Sequence, residues 1–130
     1  SFLHSSFVVQ KQLPAGIEII AGAKAVPGAG HVIMFGLGGV FVEVLKDVVF
    51  QFAPLNEQAA RRMVASIKCH AILEGFRGKE GADTEKLAEI LIRLSQLVTD
   101  IPEIVELDLN PIFAHQDPSK TAAVDVRIKI

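Results

Sequence analysis

The stretch ELDLNPI, residues 106–112, alternates three polar side chains with two leucines and then meets a proline. On a strand, alternate side chains share a face, so Glu106, Asp108 and Asn110 point the same way, each about 7 Å from the next. Carboxylate and amide oxygens so arranged suit a hard divalent cation. Magnesium takes oxygen ligands in an octahedron and keeps waters at the positions the protein leaves open. Asp125 is the next acid, on the following β-rich segment, and joins Asp108 and Asn110 if the two segments pair as neighbours. A plainer reading stands beside this one. Any half-buried strand alternates, with Leu107 and Leu109 turned to the core and their polar neighbours to water. Asp125 would then share the solvated face of VDVRIKI with Arg127 and Lys129. Spacing alone favours the plainer reading. Pro111 is expected to end the strand.

Other chemistry-bearing residues are scattered. The run GLGG, residues 36–39, lacks the spacing of a dinucleotide fingerprint and the lysine of a Walker loop, so a bend or a close backbone approach is expected. His4, His31, His70 and His115 form no pair at helical metal spacing and no readable nucleophile–base set, which points to surface or structural roles. Cys69 beside His70 could be a reactive thiol, but an inert one is expected. Arg77, in a glycine-flanked loop, could meet a phosphate, although most such arginines are simply solvated.

The elements that must position these residues fall into two groups. Residues 7–13 (FVVQKQL), 16–26, 31–35 and 40–52 are β-rich, separated by PAG, PGAG and GLGG, with a bend expected at Lys46-Asp47. The period then changes. Asn56 can cap a helix running to about His70, with Ala60, Met63, Val64 and Ile67 on one face. Asp83 can cap a longer one, striped by Leu87, Ile90, Leu91, Leu94, Leu97 and Val98 and ended by Pro102. Residues 104–113 and 122–130 read as two more strands, the second placing Val124, Val126, Ile128 and Ile130 on one face. Strands, two helices, then strands imply an α+β fold: a mostly antiparallel sheet with two helices packed on one face and the other face free for a ligand or another domain.

Bulk properties narrow the function. A chain of 130 residues fits one domain, and its 50% hydrophobic content is ample for one core. With 22% charged residues and a net charge of -2, nothing draws it electrostatically to nucleic acid or an anionic membrane. The single cysteine excludes an internal disulfide and a cysteine-based zinc site, and suits a reducing, cytoplasmic setting. No apolar run is long enough to cross a bilayer, and SFLHSSFVVQ lacks the pattern of a signal peptide. The chain opens and closes on strand-like sequence, as a piece of a longer protein would.

The stretches FVVQKQLPAGIEIIAG, HVIMFGLGGVFVEVLKDVVFQFAPL, FRGKEGAD, LSQLV and PEIVELDLNPI, in this order, resemble the ATP-grasp domain of NDP-forming (ADP-forming) acyl-CoA synthetases. These are relatives of the succinyl-CoA synthetase β subunit, and the same domain occurs fused to an acetyltransferase module in bacterial protein acetyltransferases. The resemblance covers nearly the whole chain from Phe7, and the long MFGLGG…VEVLKD…AP stretch is specific to it. It implies that residues 1–130 form one domain, the C-terminal lobe of a two-lobed nucleotide clamp, beginning at the interlobe hinge. It further implies adenine contacts from Gln10, Lys11 and Leu13, and an acid near the ribose in Glu18. It matches Asp108 and Asn110 to the family's acid-x-Asn magnesium pair and Asp125 to a further acid on the last strand. Many ATP-grasp proteins carry Glu where this chain has Asp108. Glu106 could compensate as a ligand or as an outer hydrogen-bond acceptor.

The implied activity is that of an acid–thiol ligase: acyl-CoA, NDP and phosphate interconvert reversibly with acid, NTP and CoA, through an acyl-phosphate and a phosphorylated histidine. ATP or ADP and Mg2+ are the implied cofactors. CoA-binding and phosphohistidine domains of the same enzyme are the implied partners, with neither nucleic acid nor membrane among them. On this reading the acids are electrostatic ligands and none is a nucleophile. The lobe alone is expected to be inactive and to self-associate through the surface that would meet its missing half. The alternative is a binding or regulatory module, as in the acetyltransferase-fused relatives, with no catalysis of its own.

Overall fold

The computed structural model describes residues 16–39, 46–75, 78 and 80–130. The expected strand at 7–13 with Gln10, Lys11 and Leu13, the first part of the 40–52 segment, and Arg77 lie outside the described residues. The described elements are β1 (Ile17–Val26), β2 (Gly30–Leu37), β3 (Val48–Phe52), α1 (Glu57–Ser66), α2 (His70–Glu74), α3 (Thr84–Asp100), β4 (Glu106–Ala114), β5 (Ala122–Ala123) and β6 (Val126–Lys129). The strands form one sheet in the order β3-β2-β1-β4, with β5 and β6 both on the outer side of β4. Every pairing is antiparallel. Hairpins and short returns favour this arrangement over parallel crossovers.

The helices cover one face, as an α+β fold requires. Asn56 caps α1 by accepting the Ala59 N–H at 2.7 Å, and Asp83 caps α3 by accepting the Lys86 N–H at 3.1 Å. Ala60, Met63 and Val64 of α1 and Leu87, Leu91, Leu94 and Val98 of α3 are buried against Ile19, Ala21, Ile33, Phe35, Leu37, Leu107 and Ile112 of the sheet. The Ser95 hydroxyl accepts the Leu55 N–H at 2.8 Å, and Arg61 meets Glu85 at 3.0 Å. Among the described residues, no helix is long and apolar enough to cross a membrane.

Three expectations need correction. The helix expected from Asn56 to about His70 is two helices, because Ile67 turns extended at φ -66, ψ 148. The buried carboxylate of Asp47 accepts the backbone N–H groups of Lys68 and Cys69 and so holds the interruption open. Next, Pro111 does not end the strand. β4 continues to Ala114 through a cis Asn110–Pro111 peptide. Ile19 pairs with Ile112 and Ala21 with Leu109, so β4 carries one residue more than β1 at this point, a bulge. A bulge tolerates proline because it leaves one position outside the ladder. Finally, the expected strand 122–130 is split into β5 and β6. Pro111 accepts the Val124 N–H at 2.9 Å but has no N–H to return, which thins the ladder there.

Candidate functional site

The face of the sheet opposite the helices carries the candidate residues, and the antiparallel register orders them into rows. One row reads Phe52, Val32, Lys24, Glu106, Lys129 from β3 across to β6. The next reads Phe50, Met34, Gly22, Asp108, Arg127. In the third, Val48, Gly36 and Ile20 lead to the bulge at Asn110–Pro111, and the Asn110 N–H reaches the Asp125 carbonyl at 3.2 Å. Paired residues share a face, so the open surface is apolar toward β3 and charged toward β6.

Asp108, Asn110 and Asp125 thus occupy adjacent positions on β4 and its outer neighbour. Glu106 lies one row away between Lys24 and Lys129, its charge flanked on both sides. Asp108 has no such pair. On one side stands Arg127, and on the other Gly22, which has no side chain. A Cβ at Gly22 would lie 2.8 Å from the Leu107 carbonyl oxygen and 3.7 Å from Asp108 Oδ1. Glycine here lets the β4 backbone approach β1 closely and places no side chain beside the carboxylate on this flank.

The electrostatics follow from this placing. Partial burial pushes the Asp108 carboxyl above the usual aspartate range. The charges of Glu106 and, less strongly, Asp125 push the same way, and Arg127 opposes them. Arg127 Nε is 3.7 Å from Asp125 Oδ2, both side chains being exposed. Among the described residues, no three His, Cys, Asp or Glu side chains gather closely enough to hold a metal by themselves. Two carboxylates and an amide are therefore the donors at hand. Such a set suits a cation that accepts few protein ligands and fills its sphere with water and phosphate oxygens, as magnesium does.

Glu18 stands elsewhere on the open face, near the carboxyl end of β2. Its carbonyl accepts the Gly38 N–H at 2.8 Å, and its Oε2 lies over Gly39, where a Cβ would approach to 3.0 Å. Gly39 has φ 62, a conformation that side chains resist. At Gly36 a Cβ would fall 2.5 Å from the Asp47 carbonyl oxygen, so GLGG provides close backbone approach. The remaining residues stay structural. His31 is buried with Nε2 2.7 Å from the Ile104 carbonyl, and burial, reinforced by Asp47, pushes the Cys69 thiol up and away from reactivity.

Alternation alone could find Glu106, Asp108 and Asn110 but not Gly22, nor the place of Lys24 and Arg127. Their roles depend on the register of β4 against β1 and β6, which a single strand's pattern does not contain.

Comparison with known proteins agrees with this architecture. The family described as ATP-grasp domain matches residues 3–130. The β subunit of acetate–CoA ligase (ADP-forming) II from Pyrococcus furiosus is 44% identical over 122 residues, covering 93% of this chain and 52% of that protein. The 4-hydroxybutyrate–CoA ligase (ADP-forming) of Nitrosopumilus maritimus is 46% identical over 121 residues, 93% of this chain but 17% of its own. A structure of the dinucleotide forming acetyl-coenzyme A synthetase 1 of Ca. Korarchaeum cryptofilum, with coenzyme A and Mg-AMPPCP, superposes with TM-score 0.83 at 44% identity. That match covers 90% of this chain and 54% of the other. The chain spans about half the length of the β subunits and a much smaller share of the longer ligases.

Proposed function

The chain belongs to the ATP-grasp domain family, among the ADP-forming acyl-CoA synthetases, and on that premise we propose that it is the C-terminal, magnesium-bearing lobe of the nucleotide clamp in a longer acid–thiol ligase. The ligase would interconvert acyl-CoA, ADP and phosphate with acid, ATP and CoA. The observation that carries this reading is the placing of Asp108 on the open face between Gly22 and Arg127, with Asn110 and Asp125 joined beside it through the Asn110 N–H. Relatives with matching architecture include a structure solved with Mg-AMPPCP and coenzyme A.

Within this reading Asp108, Asn110 and Asp125 hold the ion, and Glu106 supports them from the next row. Those residues would hold magnesium, which would supply positive charge to offset that building on the transferring group. The chain's own work is to fix the ligands on a rigid strand pair and to leave Asp108 poorly satisfied until the ion arrives. Glu18, braced over the Gly38–Gly39 turn, is placed to accept from a ribose hydroxyl. Gln10, Lys11 and Leu13 are the proposed adenine contacts. The CoA-binding and phosphohistidine domains would be partners in the same enzyme and would supply the groups for acyl and phosphoryl transfer. Alone, it would be inactive.

Calorimetry on the full-length parent protein tests the assignment. Asp108→Ala and Asn110→Ala are each expected to weaken Mg-ATP binding at least tenfold, on the order of 1.4 kcal/mol, and to abolish turnover. Wild-type affinity and turnover in both variants would sink the metal assignment.

A further inference from the structure

We propose that Arg127 is the internal counter-ion of the acid pair, occupying it until a divalent cation binds and then passing to an anionic phosphate oxygen. This positioning role rests on the metal reading above. The β4–β6 register sets Arg127 directly across from Asp108, and its Nε lies 3.7 Å from Asp125 Oδ2. One guanidinium therefore contacts Asp125 and projects from the position directly across from Asp108. The other basic residues of this quarter, Lys24 and Lys129, are both paired with Glu106 by the same register. Arg127 is the base that the fold assigns to Asp108.

Its surroundings make that hold temporary. The Arg127 side chain is 80% exposed, and an exposed ion pair contributes little, so release is easy. On the opposite side of Asp108 stands Gly22, which has no side chain, so that flank of the carboxylate carries no competing group. Two positive groups at the same acids repel, which couples ion binding and the Arg127 contact antagonistically, and the coupling is reciprocal. Phosphate carried by the ion offers the released guanidinium a better partner, because its planar fork binds two phosphate oxygens at once.

The test titrates Mn2+ alone into the wild type, Arg127→Gln, Arg127→Lys and Asp108→Asn, then titrates pyrophosphate into the Mn2+-loaded proteins. Arg127→Gln is expected to bind Mn2+ alone roughly three- to tenfold more tightly, the scale of a screened interaction between a unit charge and a divalent ion a few ångströms apart. Its Mn2+-loaded form is expected to bind pyrophosphate several-fold more weakly, with Arg127→Lys between it and the wild type. Unchanged or weaker Mn2+ binding in Arg127→Gln, with Asp108→Asn still defective, would overturn the counter-ion role and leave the metal reading standing. Unchanged pyrophosphate affinity in that variant would overturn the transfer to phosphate. Asp108→Asn binding Mn2+ as the wild type does, or no binding by the wild type, would sink the metal reading and the proposal with it.

Discussion

Asp108 is held where its charge is unwelcome. Burial, Glu106 and Asp125 lift its carboxyl above the ordinary aspartate value of about 3.9. The folded chain then keeps the proton better than the unfolded one does. The stabilisation this gives is present below the ordinary value and is lost as pH rises through the raised folded value. At neutral pH the ionised group opposes folding, as groups poised for a ligand often do. Asp108→Asn keeps the shape and removes the charge. Its urea midpoint is expected to exceed the wild type's at pH 7 and to converge with it below about pH 4, while cation binding is lost. A variant less stable than the wild type at pH 7 would contradict this. Asp117 has the opposite sign. The Ser119 hydroxyl and N–H both donate to its Oδ1, at 2.7 and 2.9 Å, and hold its carboxyl low. Its stabilisation is present above the ordinary value and disappears as pH falls through the lowered one.

Elements that depend on neighbours in sequence were legible, and those that depend on distant partners were not. Asn56 and Asp83 act within three residues, and both caps are where the sequence indicates. The apolar spacing of α3 and the bend at Lys46, with φ 49, were readable for the same reason. The break between α1 and α2 was not, because Asp47 causes it from 21 and 22 residues away. The bulge at Pro111 was hidden likewise, since it exists only relative to β1. The family was legible from the ordered stretches around GLGG and ELDLNPI, and the matched relatives bear it out. Asp47 is 1% exposed and serves two backbone donors. Asp47→Ala leaves both N–H groups without their acceptor and is expected to lower unfolding free energy by about 1–3 kcal/mol. Urea denaturation should show it below Asn56→Ala, which loses a single cap worth about 1 kcal/mol. Equal midpoints for the two variants would mean that water replaces the Asp47 carboxylate and that the interruption is set by something else.

Among the described residues, exposed apolar side chains gather on both sides of the sheet. Phe50 and Phe52 lie on the open face, 60% and 52% exposed, beside Met34 and Val32. On the helix side, Val126 and Ile128 are 52% and 54% exposed, although their partners Leu109 and Leu107 pack into the core. The reason is that α3 lies over β1 and β2 and leaves a groove along β6, lined by Ile90, Leu94 and Leu97 on one wall and Val126 and Ile128 on the other. The alternation of VDVRIKI made these residues look like core; position at the flank of the sheet, which alternation does not encode, leaves them open. The sequence points to self-association through the face that would meet the rest of the clamp. That face is interspersed with Lys24, Glu106 and Arg127, whereas the groove is concave and almost wholly apolar, so the groove is the better contact for a second copy. Sedimentation of the 130-residue chain is expected to show association rising with concentration. Ile128→Lys is expected to abolish it by placing a charge in the groove, and Phe50→Ser to leave it intact. The reverse pattern would return the contact to the open face, and a monomer at every concentration would show that neither apolar area suffices.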